Sequence, residues 1–367
     1  MSPSHRPGRV MVAATASLLL FAGTLYAQED HSHHHDHNAV PEMDAQGKRL
    51  TSYDQRHEMT PEARTELRRK VAVYRGMTDR ELDMNMNAMG PDYAWYVSDP
   101  KLRGNTGVLV LAHGVGENSD ATMKKSFEPL AAKQPMAIAF GMAMMSSAHI
   151  QAAVDDLAAR GAKHIILVDG GTTTAFNTLT RHWQYIFGMY PEASYMDVPR
   201  VKAPPGVTFS YAGHMNERPV ITAMLYENIK SVSKDPKNEV VLIVGHGPED
   251  KEDNIPDLKL LQAHVDRLKA KNEFADVKII NLQDDAILPV RESNVRKLRS
   301  WVQQADRAGK RVIVAPIAVA SYGVQVHIKN DLRGLNYTFA ERGFAENPKF
   351  VDYVGELIRP ATTSASH

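Results

Sequence analysis

The chain has no cysteine, which excludes disulfides, thiolate nucleophiles, cysteine-ligated clusters and lipid attachment at an N-terminal cysteine. Any metal must be held by histidine, carboxylates or carbonyls, a donor set that suits cobalt, nickel, zinc or iron without discriminating well among them. It has no surplus of either charge, with Lys+Arg and Asp+Glu at 43 each. A nucleic-acid partner is not expected, because phosphate binding draws on an excess of positive charge. No Gly-x4-Gly-Lys-Ser/Thr loop occurs, so no nucleotide cofactor is expected; Asp169 followed by Gly170, Gly171 and three threonines is too generic to supply one. Ala112-His113-Gly114-Val115-Gly116 resembles an oxyanion loop, but the Gly-x-Ser-x-Gly elbow that a hydrolase of that type needs is missing.

Long hydrophobic runs are also scarce. The run over residues 10–22 is shorter than the roughly 20 residues of a membrane span. It follows Arg6 and Arg9 and precedes the small residue Ala27, so residues 1–27 read as a secretory signal and the chain as an exported, bacterial periplasmic protein with no further membrane span. Residues 28–58 read as a linker carrying His31, His33, His34, His35 and His37. Neutral imidazoles so close together are candidate ligands for a borderline metal, with a solvated linker as the plain alternative.

The chain's 367 residues exceed the roughly 250–300 at which a single core stops growing, so two lobes are expected. Residues 59–104 read as a helical extension. Thr60 with Pro61 forms one N-terminal signature, and Thr78 with Glu81 forms a capping box. The Met84, Met86 and Met89 group reads as packing. From Gly107 onward short apolar runs alternate with amphipathic segments, as strands buried on both faces of a parallel sheet do. Two of these runs, at 165–168 and 312–315, follow a helix ending at Gly161 or Gly309 and then a lysine.

The two halves repeat each other. A strand ending at His113-Gly114 matches one ending at His246-Gly247. Residues 138–140 match 279–282, and each half closes with an aromatic strand and a proline-started helix, at Pro219 and Pro348. An internal duplication is expected. It would give a first lobe over 105–236, a second over 237–360 and a tail over 361–367, with ligands bound beyond the carboxyl ends of the strands.

The order of these landmarks resembles the sirohydrochlorin chelatase family of CbiX type in its long form, over roughly residues 105–358. Half two matches better: residues 282–286 with Pro289 resemble the family's Phe-Leu-Glu-x-Ala…Pro segment, and Pro316 with Gly323 and His327 resembles its Pro…Gly-x-His segment. The resemblance implies an α/β fold of two similar lobes, each a mostly parallel sheet flanked by helices. It implies insertion of a divalent metal (cobalt, iron or nickel) into a tetrapyrrole, the metal being substrate. On this alignment His246 and His327 are metal ligands and proton acceptors, Asp284 assists with Asp285 as its shifted alternative, and His113 faces them. Arg291 and Arg333 are candidate cations for an acidic macrocycle. Two departures stand out. Gly323 and His327 are four residues apart rather than two, and half one has Met142 at the place of the acid and Gly170–Thr174 at that of the second histidine. His149, His164 and His182 fall off the motif and read as structural. The competing class is an exported, non-catalytic metal- or tetrapyrrole-binding protein on the same fold. Oligomeric state has no signature in the sequence.

Overall fold

Strands β3 (Thr106–Ala112) and β7 (Glu239–Gly245) are apolar along nearly their whole length and almost fully buried. Successive side chains of a strand point to opposite faces. Accordingly Val108 and Val110 join one core while Leu109 and Leu111 join another, and Val241 and Ile243 part from Leu242 and Val244 in the same way. A computed structural model describes residues 42–51, 59–87 and 89–364. The signal segment and the leader histidines lie outside the described residues.

Around β3 the first sheet has the order β1-β2-β4-β3-β5-β6. Its parallel members are β3, β4 (Met136–Phe140), β5 (His164–Asp169) and β6 (Thr208–Tyr211). Strands β1 (Lys48–Leu50) and β2 (Tyr93–Tyr96) add an antiparallel edge. The second sheet has the order β10-β9-β7-β8, all parallel, with β8 (Asp276–Asn281), β9 (Arg311–Pro316) and β10 (Thr338–Phe339). Matching β3, β4, β5 and β6 to β7, β8, β9 and β10 gives one strand order for both lobes.

One core is shared between the sheets. It is filled by α3 (Glu117–Ala131), α6 (Pro219–Val232), α7 (Lys251–Ala270) and α10 (Pro348–Ser364) against the inner faces of both. Helices α4 (Ala148–Ala159) and α5 (Thr178–Ile186) cover the outer face of the first sheet, and α8 (Leu288–Arg307) and α9 (Val324–Asp331) that of the second. Each fully buried aliphatic side chain contributes roughly 1.5–3 kcal/mol, so the two lobes form one body; the described residues belong to a single compact unit.

Three boundaries shift from the sequence reading. The segment read as linker ends in β1, and the segment read as a helical extension contains β2, so the first sheet begins upstream of residue 105. Helix α10 runs on through the expected tail to Ser364. The helical part of the extension is α1 (Pro61–Lys70) and α2 (Asp79–Asn87), started as expected by Thr60 and by the reciprocal Thr78–Glu81 box. Met86 is buried and Met89 packs beside it, whereas Met84 is exposed. Among the described residues no helix is long and apolar enough to cross a membrane.

Candidate functional site at the strand ends of the second lobe

His113 and His246 leave β3 and β7 at matched positions and are held alike. Nδ1 of His113 lies 3.0 Å from the Gly114 carbonyl oxygen, and Nδ1 of His246 lies 2.8 Å from that of Gly247. A carbonyl only accepts, so in the neutral ring Nδ1 carries the proton and Nε2 keeps its lone pair. Both glycines are left-handed, at φ 77° and 76°. At Gly247 a side chain would strike the Cβ of Asn281 at 2.5 Å, so the close turn demands glycine.

The loop after β8 brings the acids to His246. Gln283 takes a left-handed backbone (φ 57°), a conformation that costs roughly 1–2 kcal/mol outside glycine. Its N–H donates to the His246 carbonyl at 2.7 Å, and its side-chain amide donates to the carbonyls of Pro248 (3.2 Å) and Asp250 (3.1 Å). Asp284 and Asp285 follow this turn. Asp285 Oδ1 lies 4.0 Å from His246 Nε2, and its Oδ2 accepts from the hydroxyl of Tyr195, a residue of the first lobe, at 2.8 Å. Burial alone would lower the His246 pKa; the charges of Asp285 and Asp284 and the Gly247 carbonyl reverse this and hold it above its ordinary value.

Asp284 is buried and faces elsewhere. Its Oδ1 accepts from Arg291 Nε at 2.9 Å, and Arg291 also forms a two-point pair with Asp331 at 2.8 and 3.2 Å. Its Oδ2 lies 3.5 Å from Nδ1 of His327 on α9, and both of these buried atoms have no hydrogen-bond partner among the described residues. Burial would raise the Asp284 carboxyl, but the His327 and His246 imidazoles and the Arg291 guanidinium hold it far below the usual carboxylate range. Arg291 is therefore engaged by two carboxylates rather than free for a macrocycle, and the exposed Arg333 bonds Asn330 at 3.0 Å. The residue two after Gly323, where the resemblance places its histidine, is Gln325. It is buried and donates to the Ala320 carbonyl at 2.7 Å.

The structure thus gathers His246, Asp284 and Asp285 on the loops following β7 and β8 with His327 on α9, the helix following β9. Glu249 joins them, its carboxyl pushed up to about 7 by burial and by the charge of Asp285. His113 stands at the matched edge of the first sheet, where the loop carrying Val115 approaches Gly323. Among the described residues no three His, Asp or Glu side chains form a ready metal cage.

Strand register corrects the first-lobe alignment. Phe140 pairs with Ala112 and Asn281 with Gly245, so the counterpart of Asp284 is Ala143, not Met142. His182 on α5 donates from Nε2 to the Ala143 carbonyl at 2.9 Å, echoing the approach of His327 to Asp284 with the acid gone. Met142 and Met144 are buried in a cluster with Leu82, Met86 and Tyr74 of the extension. Thr174 donates to Asp257 of α7, so the threonine loop joins the lobes, and within the first lobe the Thr172 and Thr180 hydroxyls bond at 2.5 Å. His164 is bonded by the Thr208 and Ser210 hydroxyls, at 3.0 and 2.8 Å.

Sequence reasoning missed Tyr195, Gln283 and Glu249. It also missed His214, whose Nδ1 lies 2.7 Å from Asp169 Oδ2 at the ends of β5 and β6. Only the periodic position of Asp169 as a polar residue closing an apolar strand could have signalled that pair.

No family model matches the chain, and no curated protein matches it. Among solved structures, SirB from Bacillus subtilis with Fe3+ is similar at TM-score 0.51 and 14% identity, over 72% of this chain and 98% of that one. The sirohydrochlorin chelatase SirB from Bacillus subtilis subspecies spizizenii, in complex with cobalt, gives 0.47 and 16%, over 70% and 96%. A multi-domain protein from Deinococcus radiodurans with structural similarity to chelatases gives 0.44 and 14%, over 69% and 54%. Two sheets whose four parallel strands follow one order, joined by a common core and alike SirB across nearly all of its length, give this chain the fold of the SirB-type chelatases.

Proposed function

We propose that the second lobe inserts a divalent metal of the cobalt or iron class into a sirohydrochlorin-like tetrapyrrole, as a lyase-type chelatase. The observation that carries this reading is the bare Nε2 of His246 facing Asp285 at a strand-end loop, with the Asp284–His327 pair beside it. Insertion breaks two pyrrole N–H bonds and replaces the ion's water by ring nitrogens. The protein's task is to hold the ion loosely on one side and to accept two protons. His246 presents the ion through Nε2, with Asp285 opposite. His327 takes a proton, and the ionised Asp284 stabilises the imidazolium that results. Glu249, whose carboxyl titrates near neutrality, is placed to take a proton at working pH. The leader histidines would feed the ion, and the signal would place the work in the periplasm.

The second reading is an exported carrier that binds metal or tetrapyrrole without turnover. It is favoured by the first lobe, where the acid's position is alanine and the neighbouring loop is filled with methionine. Absorbance-monitored insertion of cobalt into sirohydrochlorin separates the two. The enzyme reading expects many turnovers per protein, abolished by His246→Ala with the fold intact; one equivalent bound and no turnover would support the carrier.

A further inference from the structure

We infer that Tyr195, contributed by the first lobe, is a positioning residue that aims Asp285 at the metal site of the second, so that the site is complete only when both lobes are present. The inference rests on the proposed reading of His246 as the residue that presents the metal.

The spacing of Asp285 and His246 comes first. A hydrogen-bonded pair would close to about 2.7–3.2 Å, whereas Asp285 Oδ1 stands 4.0 Å from Nε2. Two donors sharing one ion at about 2.0–2.2 Å each lie about 3.4 Å apart in a tetrahedral shell and no more than about 4.4 Å apart in any geometry. The gap is therefore one an ion can bridge after a small inward shift. Asp284, its neighbour, is taken up by Arg291, which leaves Asp285 as the carboxylate facing Nε2.

What fixes Asp285 is the Tyr195 hydroxyl on its other oxygen, at 2.8 Å. Tyr195 is fully buried, and facing a carboxylate oxygen, which only accepts, its hydroxyl is the donor of this bond. It is itself seated on the first lobe. Its backbone N–H donates to Nδ1 of His182 at 3.4 Å, while Nε2 of that ring donates to the Ala143 carbonyl at 2.9 Å. The two bonds define one tautomer. Burial keeps it neutral, with the ring's pKa lowered to about 4. The rings of His182 and Tyr195 meet edge to face at 5.3 Å, and Tyr195 shares a buried cluster with Met142, Met144 and Tyr74. The place where the first lobe lacks an acid has thus become the footing of a strut reaching the acid of the second lobe. Partners that orient a ligand from behind commonly account for 10–100-fold in metal affinity.

The test is a cobalt(II) titration at neutral pH of the full chain with His31, His33, His34, His35 and His37 changed to alanine, so that the leader offers no competing imidazoles; this chain serves as wild type, both heat and the visible cobalt bands are followed, and each variant is melted alongside. Tyr195→Phe keeps the ring and removes only the donor. It should weaken cobalt binding 10–100-fold and alter the cobalt spectrum while melting close to wild type. Asp285→Asn should weaken binding at least as much, and the double variant no more than Asp285→Asn alone, because the hydroxyl acts through that carboxylate. Wild-type affinity in Tyr195→Phe overturns the inference, as does full additivity in the double variant. Should Tyr195→Phe fail to fold, Asp285→Asn decides: an unchanged cobalt affinity there overturns it. His246→Ala tells the failures apart. If it binds cobalt like wild type the reading of the site has failed, whereas loss of binding in His246→Ala with none in Tyr195→Phe refutes the strut alone.

Discussion

The two lobes end their central strands in the same way and continue in opposite ways. After β4 the chain runs through Met142, Ala143 and Met144 into an apolar pocket roofed by α1 and α2. After the matched β8 it runs through Gln283, Asp284 and Asp285 to two imidazoles and an arginine. The strands themselves differ little, because residues buried on both faces of a sheet are restricted to apolar side chains of similar volume. The comparison teaches that one architecture can keep or lose a polar site through its loop residues alone, provided the vacated space is filled.

The sharpest way to break the comparison is to remove the matched histidines one at a time. His246→Ala should lower metal insertion by about 100-fold or more, because even the partners that orient a metal ligand commonly account for 10–100-fold, while His113→Ala should stay within about threefold; equal losses would make the first lobe an equal partner. A second contrast is energetic. Asp284→Ala takes one of two carboxylates from the half-buried Arg291 and removes the charge facing His327; loss of a hydrogen bond to a charged group costs about 1.5–3 kcal/mol, measurable by urea unfolding. Ala143→Asp at the matched position should also destabilise, by about 2 kcal/mol or more, because the side chain there is fully buried among apolar neighbours.

Acid should find the neutral histidines of the first lobe and of the joint between the lobes. His182 and His264 are fully buried, and burial lowers both to about 4. Below about pH 6.5 the unfolded chain takes protons that the native rings refuse. Their contribution is therefore complete above that pH and is lost as pH falls toward 4, each by on the order of 3 kcal/mol. Melting temperature should decline over that window, and His264→Gln should flatten the decline. The smallest expected effect is at the joint: Thr174→Val leaves buried Asp257 short of a donor and should cost about 1–3 kcal/mol by the same unfolding measurement.

How much of this could be read from the residues follows from where each signal lives. Strands β3, β5, β7 and β9 announce themselves because double burial writes continuous apolar runs. Strands β1 and β2 do not: three or four residues with buried Tyr93, Ala94, Trp95 and Tyr96 show no alternation to detect. The strand-end histidines were legible because polarity breaks abruptly after an apolar strand. Tyr195 and Asp285 lie 90 residues apart, Arg291 and Asp331 lie 40 apart, and no local spacing encodes such meetings. The reading of Met142 as the lost acid missed by one residue, because only the pairing of Phe140 with Ala112 sets the register.

The central claim is that a metal ion seats on the second lobe rather than the first. Anomalous diffraction from crystals soaked in cobalt(II) tests it most directly. The account predicts a cobalt peak within about 2.2 Å of both His246 Nε2 and Asp285 Oδ1 and none beside His113. A peak at His113 with the β7 loop empty would contradict it.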